Sequence, residues 1–212
     1  MLVRDLMTLN PRVVRPESDP LGAMALMKAR RCRHMPVVDE DNHVIGIVTQ
    51  ADIQLFLSTS ESPGVIKRQH RVQQMMTTPV VTTEPNCPIE EAAHKMIQHQ
   101  ISGLPVVEEG QLVGIITKTD IFKQLVESLG GGIDSIRLTI QVPDTPGQLA
   151  QVTSRIAKVG GNIVSVITAR PKDPERINMT FRVVGVKADQ LFEAVKQQPG
   201  LKILYTWTGE EC

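Results

Sequence analysis

One word is written twice in this chain. Pro36-Val37-Val38 followed by Gly46-Ile47-Val48-Thr49-Gln50-Ala51-Asp52 returns as Pro105-Val106-Val107 followed by Gly114-Ile115-Ile116-Thr117-Lys118-Thr119-Asp120. Each copy reads as an apolar strand, a polar turn, a returning strand and a helix opened by Thr-x-x-Asp. A supersecondary unit repeated in this way cannot bury its apolar side alone, so two copies are expected to form one body.

The surroundings of each copy repeat too. Val3 to Thr8 matches Val72 to Thr77, and each is followed by a short apolar stretch, Arg12-Val13-Val14-Arg15 or Pro79-Val80-Val81-Thr82-Thr83, that reads as a strand. Ser18-Asp19-Pro20 supplies a cap and a first-turn proline for a helix over 20–31, with Leu21, Met24, Ala25, Met27 and Lys28 on one stripe. Asn86-Cys87-Pro88 opens the matching helix, whose stripe is Ile89, Ala92, Ala93, Met96 and Ile97. The methionines read as pliable core filler. Asp39 to His43 reads as a solvated hairpin turn, because it lacks the ligand spacing of a calcium loop. The reading divides the chain into a first repeat at 1–58, a polar linker at 59–71, a second repeat at 72–129 and a glycine hinge at 130–134.

Beyond Gly130-Gly131-Gly132 the pattern changes. Ile136 to Val142 alternates apolar and polar, the mark of a half-buried antiparallel strand. Asp144-Thr145-Pro146-Gly147 turns into a helix carrying Leu149, Val152, Ile156 and Val159, which Gly160-Gly161-Asn162 ends. Strands at 162–170 and 176–186, a helix at 188–197 and a strand at 201–208 complete a βαββαβ order over 135–210, with both helices expected on one face of an antiparallel sheet. The fold class is therefore α/β in the broad, α+β sense.

Composition narrows the function. Lys+Arg and Asp+Glu are equal at 23 each, which speaks against a broad nucleic-acid face. No basic segment followed by an apolar run opens the chain, and no stretch has the ~20 apolar residues that would cross a bilayer. Cys32, Cys87 and Cys212 are odd in number and form no Cys-x-x-Cys, so free thiols in a cytoplasmic setting are expected, with neither disulfides nor a metal site. No nucleophile elbow, phosphate loop, zinc-protease helix or dinucleotide turn is present, so no enzyme is expected.

The paired Gly-Ile-x-Thr-x-x-Asp words, the Val-x-x-x-Met openings and the Pro-Val-Val strands resemble the CBS domain, as a tandem pair (the pseudo-two-fold Bateman module) over about 1–128. Asp144-Thr145-Pro146-Gly147-Gln148-Leu149 with Gly160-Gly161-Asn162-Ile163 resembles the ferredoxin-like ACT domain. The whole order is similar to the acetoin-utilisation, AcuB-like family.

The resemblance implies an adenosyl ligand (AMP, ADP, ATP or S-adenosylmethionine) between the repeats, and no further cofactor. Thr49 and Asp52 would work with Val81, Ile101, Ser102 and Leu104, while Thr117, Lys118 and Asp120 would work with Val13, Arg33, His34 and Met35. The chemistry suits this, because a carboxylate accepts hydrogen bonds from both ribose hydroxyls and a helix N-terminus attracts phosphate. For each Asp a plainer reading stands beside it, that the residue only caps its helix. Arg33, His34 and Lys118 would bias the Asp120 side toward phosphate, with the basic end of the linker, Lys67, Arg68 and Arg71, as further candidates. For the second domain the resemblance implies an amino acid or a dimerisation contact at Asp144, Gly147, Gln148, Leu149, Asn162 and Ile163. The expected whole is a homodimeric regulatory sensor in acetoin metabolism, with no nucleic acid or membrane partner. The alternative is a constitutive dimeric scaffold without nucleotide.

Overall fold

The computed structural model describes residues 1–59 and 70–209. The chain forms two compact units, Met1–Phe122 and Lys123–Cys212, and each is described by itself.

The first unit is built from two hairpins. β2 (His34–Val38) pairs antiparallel with β3 (Val44–Thr49), and β4 (Gly103–Glu108) with β5 (Gln111–Thr117). Each hairpin carries one bulge, between Val37 and Val38 and between Val106 and Val107. Helices α1 (Pro20–Arg30) and α2 (Gln50–Thr59) accompany the first hairpin, and α3 (Ile89–Gln98) and α4 (Lys118–Ser128) follow the same plan in the second. α1 starts where Asp19 Oδ2 accepts from the Gly22 N–H at 2.7 Å, with Pro20 at the first helical position.

Each repeat has its own core. Ala23, Met27, Met35, Val37, Val48 and Ile53 make the first; Ala92, Met96, Leu104, Val106 and Ile116 make the second. Each fully buried aliphatic side chain contributes about 1.5–3 kcal/mol of transfer free energy. The buried face of α1 is Pro20, Ala23 and Met27, one step round from the predicted stripe, and Leu21 is left 38% exposed. Here packing into the first core, with α2 as a neighbour, decides which positions of a largely apolar helix face inward. Ile97 of α3, also predicted inside, is 67% exposed.

The opening segments exchange repeats. β1 (Thr8–Leu9) pairs with β5 of the second repeat, and Thr77 bridges to Ile47 of the first. Val3 is fully buried in the second core with Leu6 and Met7 against it, whereas Val72 is fully buried in the first with Met75 and Met76. The two glycines of the repeated word make room for this. A Cβ on Gly114 would stand 2.6 Å from Met7 Sδ and 3.2 Å from the Thr8 carbonyl oxygen, and one on Gly46 would collide with Met76.

The strands predicted at Arg12–Arg15 and Pro79–Thr83 shrink to single parallel bridges, Val14 to Val37 and Thr83 to Val106. Pro11 and Pro16 flank one, and Pro79 and Pro85 the other. Without an N–H to donate at those positions, the ladder cannot extend.

In the second unit β6 (Ile136–Pro143), α5 (Gln148–Lys158), β7 (Asn162–Ala169), β8 (Arg176–Val184), α6 (Ala188–Lys196) and β9 (Lys202–Trp207) follow the predicted order. The sheet runs β7-β8-β6-β9, antiparallel throughout. Leu138, Ile140, Val142, Met179, Phe181 and Val183 face Val152 and Ile156 of α5 and Leu191 and Val195 of α6. The end of α4 belongs to this unit. Gly130 (φ +71°) donates to the Glu127 carbonyl at 2.9 Å and Gly131 to the Val126 carbonyl at 2.8 Å, a left-handed glycine stop.

Gly114→Ala should cost about 1–3 kcal/mol in urea unfolding by overpacking against the exchanged segment. The Met7→Ala, Gly114→Ala double variant should recover part of that loss, giving a favourable coupling energy in the double-mutant cycle.

Candidate functional site

The site grows out of two identical helix starts. At the first, Asp52 Oδ2 accepts from the Thr49 backbone N–H at 2.8 Å and from Thr49 Oγ1 at 2.7 Å, while the Asp52 N–H donates to Thr49 Oγ1 at 3.2 Å. At the second, Asp120 Oδ2 accepts from the Thr117 N–H at 2.9 Å and Thr117 Oγ1 at 2.6 Å, and the Asp120 N–H donates to Thr117 Oγ1 at 3.4 Å. This is a reciprocal capping box, with Thr as the N-cap and Asp in the third helical position. Each Asp therefore caps its helix, but with one oxygen only. Oδ1 of each makes no hydrogen bond to a described residue. An ionised carboxylate has two oxygens that accept, so capping leaves the second available.

The strand openings hold these helix starts in place. The Arg33 carbonyl accepts from the Gln50 N–H at 3.1 Å, and the Ser102 carbonyl from the Lys118 N–H at 3.0 Å. Both helix N-termini consequently border one cleft of about 390 Å³. Thr49, Gln50, Ala51 and Gln54 line it from the α2 side, Lys118 and Thr119 from the α4 side, and Arg33, His34 and Ser102 from the strand openings. The partial positive charge of two helix ends and two exposed side-chain cations meet in this space.

His34 is the hinge-pin of the cleft. Its Nε2 lies 2.7 Å from Ser102 Oγ, and a Cβ on Gly103 would come within 3.1 Å of the ring. Burial pushes its imidazole below the ordinary value and the Arg33 guanidinium adds to this, while the carboxylates of Asp52 and Asp120 pull the other way. The Ser102 contact and the shared lining place His34 beside both capped turns.

Of the predicted residues, the cleft gathers Thr49, Arg33, His34, Ser102 and Lys118 as lining, with Thr117, Asp52 and Asp120 in its capped turns. The cations assigned to one half and the Ser102 assigned to the other share a single space. Met35 and Leu104 are fully buried in the two cores, and Val81 and Ile101 pack against the second. Val13 lines a separate groove beside Val14, Arg15 and Asp19. Arg71 lies outside the cleft lining and donates to the Gln74 side chain and the His70 carbonyl. Lys67 and Arg68 fall outside the described residues. Gln50, Ala51, Gln54 and Thr119 also line the cleft and were not singled out from the sequence, although all four lie in the first turns of the helices that the two Thr-x-x-Asp words open.

In the second unit Asp144, Gly147, Leu149 and Asn162 are exposed and Ile163 packs against the core. Gly147 (φ +89°) turns the chain into α5. Gln148 is tied into a polar network: its Nε2 donates to Thr145 Oγ1 at 3.0 Å and its Oε1 accepts from Gln198 Nε2 at 3.2 Å. Gln198, 4% exposed, also bonds Gln151, and its own Oε1 accepts from Arg155 Nε at 3.1 Å. Among the described residues no three His, Cys, Asp or Glu side chains gather as metal ligands, and no helix is long and apolar enough to cross a membrane.

Comparison with known proteins agrees with this architecture. The CBS domain family matches residues 3–58 and 72–127, and the TTHA0829-like ACT domain family matches residues 131–204. The chain belongs to the CBS domain family, as a tandem pair followed by an ACT domain. Both are regulatory domain types.

The CBS domain-containing protein YhcV of Bacillus subtilis is 34% identical over 136 residues, covering 63% of this chain and 94% of its own length. A homoserine O-acetyltransferase of Methanococcoides burtonii is 37% identical over 120 residues, but the chain spans only 23% of that enzyme's length. Among solved structures, the CBS domain pair of MJ0100 in complex with 5′-methylthioadenosine and S-adenosyl-L-methionine has a TM-score of 0.54 at 28% identity, covering 60% of this chain and 97% of that one. AcuB of Vibrio cholerae, named for acetoin utilization, has a TM-score of 0.55 at 32% identity, with coverages of 61% and 93%. CBSX2 in complex with AMP has a TM-score of 0.51 at 27% identity, with coverages of 59% and 96%.

The depressed His34 pKa sets a pH dependence. Below about 6.5 the unfolded chain takes up a proton that folded His34 resists, so stability is lost as the pH falls through and below that value. Melting temperatures from pH 8 to pH 5.5 should decline for the parent protein, and the decline should be shallower in His34→Gln.

Proposed function

We propose that the cleft between the repeats binds an adenosyl ligand carrying phosphate, and that the chain is a regulatory sensor and not a catalyst. The observation that carries the reading is the meeting of two helix N-termini with Arg33 and Lys118 around one space of about 390 Å³. That volume falls within the ordinary range for small-molecule sites, roughly 300–1,000 Å³. Oriented N–H groups and cations at close range favour a phosphate group strongly. Oδ1 of Asp52 and of Asp120 are available as acceptors for ribose hydroxyls. The adenosyl complexes of MJ0100 and CBSX2 support the ligand class.

Arg33 and Lys118, beside two helix N-termini, favour AMP, ADP or ATP over S-adenosylmethionine, which itself carries a positive charge. Phosphate beside His34 stabilises the imidazolium, so binding should draw in a proton and AMP affinity should rise from pH 8 to pH 6. Titration calorimetry checks both points. Arg33→Ala and Lys118→Ala should each weaken AMP by about tenfold, in keeping with a charge-assisted hydrogen bond, and change S-adenosylmethionine binding only a few-fold. Absence of binding by all four ligands at millimolar concentration would leave the scaffold reading in its place.

The reading extends to a cytoplasmic homodimer whose ACT domain takes an amino acid near Asp144, Gly147 and Asn162, or serves as a pairing surface. The likeness to AcuB supports a place in acetoin metabolism. A coupling between the two domains requires that nucleotide favour one of two arrangements differentially.

A further inference from the structure

The helix-free face of the ACT sheet carries a row of arginine and aromatic side chains. Strand register lines them up in two rows. Trp207, Arg137, Arg182 and Ser165 are successive cross-strand neighbours over β9, β6, β8 and β7, and Tyr205, Thr139, Thr180 and Ile167 form the next row. The chain has a single Trp and a single Tyr, and both stand here.

The charge arrangement is unfavourable without an occupant. Arg137 and Arg182 are directly opposed on neighbouring strands, a like-charge pairing that destabilises a sheet. Among the described residues neither forms an ion pair with a carboxylate. Arg182 donates to Ser135 Oγ at 3.1 Å and lies 5.3 Å from the centre of the Trp207 ring, whereas the Arg137 side chain has no hydrogen-bond partner among the described residues.

These side chains line a concavity of about 240 Å³, walled on one side by Leu129 at the end of α4. Ser165 Oγ holds that wall by donating to the Leu129 carbonyl at 3.2 Å. Gly130 next to it lets the chain pass close to Arg182, since a Cβ there would stand 2.8 Å from Arg182 Cδ. The volume is below the usual range for drug-sized ligands, which begins near 300 Å³.

We propose that this concavity on the helix-free face of the ACT sheet is a binding site for a small aromatic carboxylate, its anion held between Arg137 and Arg182 and its ring against Tyr205 and Trp207. Two guanidiniums supply the forked donors that a carboxylate accepts, and the aromatic side chains offer offset or edge contacts to a flat ring. The site is separate from the turn at Asp144, which follows the far end of β6 from Arg137, on the order of 20 Å away along the strand. It does not depend on nucleotide binding between the CBS repeats.

Trp207 is a built-in reporter, because no other tryptophan contributes to emission. With 295 nm excitation, phenylacetate should change the fluorescence of the full-length protein saturably. Acetate should act at least tenfold more weakly, and phenethylamine should give no saturable change. Arg137→Gln should weaken phenylacetate at least tenfold while leaving the melting temperature equal or higher, since it removes a like-charge pair. Asp120→Asn should leave the response unchanged, which keeps this site's test apart from that of the nucleotide cleft. The proposal is overturned if phenylacetate gives no saturable change, if Arg137→Gln binds it equally well, or if that variant melts lower. It is also overturned if a uridine oligonucleotide saturates the signal in phenylacetate's place.

Discussion

The first unit depends on the exchange of opening segments between its repeats. Val3 completes the core of the second repeat, and Val72 completes the core of the first. Neither repeat has a closed core from its own residues in sequence order. The methionines behind them, Met7 and Met76, lie across Gly114 and Gly46, where any side chain would obstruct them. Those glycines belong to the same words that end in Thr49-x-x-Asp52 and Thr117-x-x-Asp120. The same word thus serves both core assembly and the placing of the capped turn. A ligand that spans both turns would therefore act on the joint that holds the repeats together, which is what a sensor needs from its scaffold.

The capping boxes give the cleft its character. A Thr-x-x-Asp turn spends one carboxylate oxygen and most of the Thr hydroxyl's capacity on its own helix, and this fixes the turn before any ligand arrives. The remaining acceptor and the helix N-termini are then held in advance, so little ordering entropy opposes binding. Between the turns, His34 is kept neutral by burial and by Arg33 at neutral pH. The two lining cations, Arg33 and Lys118, are thus set against the two capping carboxylates, and His34 would add a positive charge if an anion entered.

Much of this was legible in the chain. The duplicated word marked the tandem pair, and the period-two alternation of Ile136 to Val142 marked a sheet with one buried face. Local chemistry also fixed Asp19 as a helix cap and placed Gly130 at the end of α4. The failures have one cause, which is that neighbours distant in sequence set burial. Leu21 and Ile97 fit an apolar stripe, but the cores take up Ala23 and Met27 of α1 and Ala92 and Met96 of α3 and leave those two exposed. Val14 and Thr83 looked like parts of strands, and flanking prolines cut each to one bridge. In the ACT sheet, nothing in the separate strands shows that Arg137 stands opposite Arg182 or that Trp207 stands beside them. Register decides that, and register is set by pairing across the whole sheet.

The sequence by itself determined the units: two copies of a strand–turn–strand–helix word with a self-capping Thr-x-x-Asp, and a βαββαβ domain after three glycines. Those features are local, written in hydrophobic period, turn residues and caps. Tertiary structure alone decided that each repeat borrows its opening segment from the other, and that Arg33, His34, Ser102 and Lys118 share one cleft. It alone decided that two arginines and the chain's single Trp and Tyr meet on one sheet face. Side chains far apart along the chain become neighbours only through packing and register, and a local pattern carries neither.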